Sequence, residues 1–182
     1  MGILLAFAPF IVFVFGQMLV GVFAGLVLAA VVAALLIVKS VIAHQTIKVL
    51  EIGTLILFAG LAIYAKLAHP AWSIIAVRLR VDAGLLLVVL ASLVLRKPFT
   101  LQYAREQVPA EIWSHPAFVR TNYVITAAWA LAFAVMVVAE AAMLYVSGVP
   151  KRAGVIVTVL AIYGAFRFTD SYPKRQRQQV SS

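Results

Sequence analysis

Residues 1–38 read MGILLAFAPFIVFVFGQMLVGVFAGLVLAAVVAALLIV and hold no charged side chain. As one continuous helix they would run to about 57 Å at 1.5 Å per residue, against a hydrocarbon core of about 30 Å. One crossing is too few for that length. Gly16, Gln17 and Gly21 offer the only break, which predicts a first span near residues 3–15 and a second near 19–38. The first is short and contains Pro9, so it is expected to be tilted, kinked or re-entrant. No basic run precedes Ile3, and the apolar stretch is too long for a signal-peptide core, so it is expected to be retained. Gly21, Gly25, Ala29 and Ala33 recur at four-residue spacing on the second span. Small residues so placed let another helix approach closely.

The remaining chain continues in the same style. Of its 182 residues, 65% are hydrophobic, where soluble domains average about 45–50%. Lipid must therefore be the solvent for much of the surface. Further spans are expected near 49–67, 72–95, 123–146 and 153–168, with Pro70 in the first turn of the 72–95 helix. The fold class is thus an all-α polytopic transmembrane bundle of about six spans, with a membrane domain over 1–170. Residues 171–182 form a basic tail, expected to be disordered.

The chain carries 15 Lys and Arg against 6 Asp and Glu. These cations sit between apolar blocks, which points to anionic lipid headgroups at the loops and tail and not to nucleic acid. With six crossings, one side takes Lys39, Lys48, Arg96, Lys97, Arg105, Arg120, Arg167, Lys174, Arg175 and Arg177, ten in all. The other takes Lys66, Arg78, Arg80, Lys151 and Arg152, the remaining five. The richer side is expected to be cytoplasmic, placing both termini inside.

Residues 96–129, RKPFTLQYAREQVPAEIWSHPAFVRTNYVITAAW, begin with the longest polar interval between hydrophobic blocks. The cytoplasmic loop they imply, 96–120, mixes apolar and charged side chains as a short interfacial helix would. Its candidate interface residues are Phe99, Tyr103, Arg105, Glu106, Glu111 and Trp113, which could meet either a partner protein or lipid.

The absence of Cys excludes disulfides, Fe–S clusters and thiolate metal sites. His44, His69 and His115 are isolated, and no phosphate loop, dinucleotide fingerprint, nucleophile elbow or HExxH run occurs. No cofactor and no enzymatic activity are expected. Two polar sites remain. Glu140 lies within an apolar span on a face with Ala128, Ala132 and Met136. A charge there costs about 2.5–3.5 kcal/mol, so it is either a proton or cation site or a paired structural carboxyl. Arg78 and Asp82, four apart beside Arg80, either bind a lipid phosphate or another subunit, or form a self-paired turn whose arginines snorkel.

Phe7-Ala8-Pro9-Phe10, Lys97-Pro98, Glu106 shortly before Pro109, Trp113, Asn122, and Trp129-Ala130 with Phe133 follow one another in an order that resembles the bacterial inner-membrane family called intracellular septation protein A. The likeness covers roughly residues 5–145, while the segment between Trp113 and Asn122 is longer here and the basic tail is extra. The resemblance implies a five- or six-span protein of the cytoplasmic membrane, serving cell-envelope synthesis and division through contacts with other membrane proteins. No catalytic residue carries over from it. Alternatives are a small accessory subunit of a respiratory or photosynthetic complex, and a small transporter using Glu140.

Overall fold

The computed structural model describes residues 5–180, and among them every regular element is helical. We number the α-helices α1 (Ala8–Leu19), α2 (Val22–Ile42), α3 (Val49–Ala68), α4 (Ile74–Val94), α5 (Phe99–Arg105), α6 (Pro116–Tyr145) and α7 (Lys151–Val180). A single 3₁₀ turn, Ala110–Ile112, lies between α5 and α6. Among the described residues, four stretches are long and apolar enough to cross a membrane: α2, α3, α6 and Arg152–Lys174 of α7. Their outward faces carry large apolar side chains, such as Leu67, Leu131 and Val138, which are more than half exposed. In water so much open apolar surface would drive association; next to acyl chains it costs nothing.

The other two predicted spans differ in kind. The 12 residues of α1 rise only about 18 Å, well short of a hydrocarbon core. The length of α4 suffices, but Arg78, Arg80 and Asp82 interrupt its apolar character.

The chain divides into two compact units, Met1–Val88 and Val89–Ser182. In the first, α1 and α2 form a hairpin. Of the two points the sequence offers, the helix break falls at the later, Val20-Gly21, because Gly21 takes φ 91°, a left-handed conformation that suits glycine. Gly16 stays helical and serves as a contact point. A Cβ built on Gly25 would lie 2.7 Å from the Gln17 amide nitrogen, so the two backbones nearly touch. Phe13, Leu26, Ala29, Phe58, Ala62, Val77 and Val81 make the core of this unit. The ring of Phe58 packs against Phe13 at 5.6 Å and Phe10 at 5.1 Å.

Pro70 does not open α4. Helix α4 begins at Ile74, where the Ser73 hydroxyl accepts the Ala76 amide at 3.2 Å and satisfies an end donor. His69 ends α3 in a left-handed conformation, and Pro70 lies in the connection.

The second unit is built on the α6–α7 hairpin, turned at Gly148 with φ 90°. Helix α6 starts at Pro116, seven residues before the expected 123, and its 30 residues rise about 45 Å. The last helix continues through Pro173 to Val180, past the expected end at 168. The tail expected to be disordered is thus helical as far as Val180. Between Phe168 and Lys174 the helix is reinforced by a stacked Phe168–Tyr172 pair and an Asp170–Lys174 ion pair of 2.7 Å, both at four-residue spacing.

Candidate functional sites: buried polar groups and the 96–115 segment

Polar side chains inside apolar helices need a reason, because each buried group must find a partner. In the first unit such a group stands where α2 hands over to α3. Ser40 ends one face of α2, Lys48 precedes α3, and Glu51 sits in the first turn of α3. The Glu51 carboxylate accepts from the Ser40 hydroxyl at 3.1 Å, the Lys48 backbone amide at 3.3 Å and the Lys48 ammonium at 3.4 Å. All three side chains are buried. A carboxylate at a helix N-terminus also meets the favourable end of the helix dipole. The sequence signal for this cluster was modest: a Lys and a Glu three apart at a helix start, and a Ser one connection earlier.

In the second unit, α6 turns one stripe inward: Asn122, Thr126, Trp129, Phe133, Met136 and Glu140. Glu140 is fully buried, so its face does point into the unit along with Ala132 and Met136. The Trp129 indole N–H donates to the Thr169 hydroxyl at 3.0 Å, and its ring meets Phe166 edge-on at 4.9 Å. The Thr100 hydroxyl reaches the Asn122 carbonyl at 2.9 Å and the Thr126 hydroxyl at 2.7 Å, which pins α5 to α6.

That pinning changes the reading of the 96–115 segment. Phe99 and Tyr103 are buried, facing the core of the second unit and not lipid or a partner. Phe99 approaches Trp129 edge-on at 6.4 Å. The amphipathic face recognised in the sequence is real, but α6 covers it. What remains outward is the other side: Glu106, Glu111 and Trp113 are exposed and Arg105 is half-buried. Trp113 closes this segment on itself. Its indole N–H points at the Arg105 and Val108 carbonyls, 3.0 and 3.2 Å away, and the Arg105 guanidinium lies over its ring at 5.7 Å.

The small-residue stripe of α2 is likewise occupied. Gly25, Ala29 and Ala33 are buried within the first unit, while Gly21 belongs to the turn. Arg78 and Asp82 are half-buried one turn apart on α4. Their exposed neighbour Arg80 bends back toward the helix start, donating to the Ala76 carbonyl at 2.6 Å and lying over the Trp72 indole at 4.7 Å. Among the described residues, no three His, Asp or Glu side chains gather closely enough to hold a metal ion.

No protein-family model, curated protein or solved structure matches this chain.

Proposed function

We propose that this protein is a non-enzymatic, multi-pass protein of the bacterial cytoplasmic membrane that acts by holding other membrane proteins, as an accessory of envelope synthesis or division. The septation-protein resemblance supplies the process. In this reading the chain crosses six times, with α1 short, both termini in the cytoplasm and the 96–115 segment on the same side. The ten-to-five division of cations supports that orientation. Glu140 is a structural carboxyl here, and the Ser40–Lys48–Glu51 cluster holds α2 to α3 from inside.

The observation that carries the reading is the closed form of residues 105–113. The Trp113 clamp gives this segment a fixed shape, with Glu106 and Glu111 outward beside Arg105 and the exposed indole. A pre-shaped patch of an aromatic, an arginine and acids suits a protein partner, since aromatic and Arg side chains are the usual anchors of an interface. Lipid anchoring would use the same tryptophan but has no need of the acids. Reversing both acids, Glu106→Lys with Glu111→Lys, separates the two. The double variant should insert normally and lose its partners on purification in mild detergent. Undiminished recovery of every partner would sink the proposal. A merely lipid-bound segment should instead bind anionic membranes better, by about 1 kcal/mol per added cation.

A further inference from the structure

The polar end of the first unit opposite the Glu51 cluster holds side chains that the proposed function does not use. Helices α2, α3 and α4 are consecutive, and the hydrogen-bonded pair Ser40–Glu51 sets α2 and α3 antiparallel, so the start of α2 lies beside the end of α3. There Tyr64 stacks on Trp72 with ring centroids 5.3 Å apart and an interplanar angle of 14°. The Arg80 guanidinium lies over the same indole at 4.7 Å, and Lys66 stands 5.9 Å from the Phe23 ring centroid. Arg80, Lys66 and Tyr64 are exposed. Arg78 and Asp82, two residues to either side of Arg80 on α4, are half-buried, and among the described residues Asp82 is the one carboxylate of this end.

We propose that this aromatic and cationic collar binds the phosphate of an anionic phospholipid. The Arg80 guanidinium is held on one side by the indole and at one N–H by the Ala76 carbonyl, so its orientation is set before any ligand arrives. One of its five donors is spent, and a guanidinium presents the others as a planar fork matched to phosphate oxygens. Lys66 adds a second, exposed cation at the same end. The surroundings decide between a lipid and a free anion. Ile63, Leu67 and Ile74, on the same two helix ends, are each more than half exposed. A ligand that satisfies both the cations and these apolar side chains has a phosphate at one end and acyl chains at the other. Tyr and Trp beside them are the side chains that favour the headgroup level.

The test uses the full chain in nanodiscs of phosphatidylcholine with and without phosphatidylglycerol. Lipid retained through detergent exchange is counted by native mass spectrometry. The wild type should keep phosphatidylglycerol in preference to phosphatidylcholine. Arg80→Gln and Lys66→Gln should each lower that retention about fivefold, the factor that corresponds to the usual attraction of one cation to an anionic surface. Arg80→Lys, which keeps the charge but not the fork, should fall between. Lys97→Gln, outside this unit, should lower retention far less than Arg80→Gln or Lys66→Gln. Thermal stability in pure phosphatidylcholine should be the same for Lys66→Gln and wild type, which keeps the comparison valid if Arg80→Gln folds poorly. Equal retention by Lys66→Gln and wild type, or an equal loss after Lys97→Gln, would overturn the site. Displacement of the lipid by millimolar inorganic phosphate would also overturn it, since a free anion would then suffice.

Discussion

Gly25 and Gly60 are both glycines in the interior of apolar helices, yet their surroundings make them opposites. A methyl on Gly25 would press on the Gln17 and Gly16 backbone, which has no rotamer through which to yield. Nothing lies within 4 Å of the same position on Gly60. Gly25→Ala should therefore force α1 and α2 apart and cost about 1–3 kcal/mol, the usual range for overpacking. Gly60→Ala should leave the fold intact and gain up to about 1 kcal/mol from helix propensity. Unfolding of both variants in detergent, followed by circular dichroism, reads the difference. Equal stabilities would mean that the α1–α2 contact is looser than the distances say. Glu51 shows the same dependence on context. Its sequence position marks a helix start, but its burial with Lys48 and Ser40 makes it a fastener between two helices.

Among the elements, α5 departs most from expectation. Its seven residues are too few to be stable as an isolated helix, so it must be held by what it packs against. Thr100 supplies the polar attachment to α6 and Phe99 the apolar one. Phe99→Ala should cost about 3–5 kcal/mol, the usual loss for a fully buried Phe. It should also free the 96–115 segment, so that limited proteolysis cuts there first. A surface anchor would behave differently: the same substitution would leave stability unchanged and weaken only membrane or partner binding. The α6–α7 hairpin has a comparable fixed point in Trp129, held by Thr169 and Phe166 at once.

For the whole molecule, the arrangement in the membrane is the property to check. On the proposed topology, a reporter fused after Gln179 should be cytoplasmic and one at Gly148 should lie on the opposite face. Both reporters on one side would remove α7 as a crossing. A third reporter before α1 settles whether α1 crosses, because its 12 residues are short for a span. The N-terminal reporter is expected in the cytoplasm if α1 and α2 cross as a pair. A re-entrant α1 would put it on the far side while leaving the 96–115 segment where it is.

The sequence by itself determined the solvent and the class. A 38-residue uncharged opening and 65% hydrophobic residues leave lipid as the only surrounding in which this chain can bury its apolar groups, and apolar runs that long satisfy their backbone there as helices. It also marked Glu140 as inward-facing, because small residues share its face, and Gly25, Ala29 and Ala33 as a packing stripe. Which surface each packing residue meets was decided only by tertiary structure. Hydropathy is the same for a side chain that faces lipid and one that faces another helix, so Phe99 and Tyr103 read as surface anchors while they are core. Helix ends were blurred for a related reason. Pro116 and Val180 bound helices that run past the apolar stretches, and polar extensions carry no hydropathy signal. The Ser40–Lys48–Glu51 cluster needed three residues from two helices and their connection to meet. That meeting is set by the antiparallel register of α2 and α3, a property of packing that no local spacing encodes.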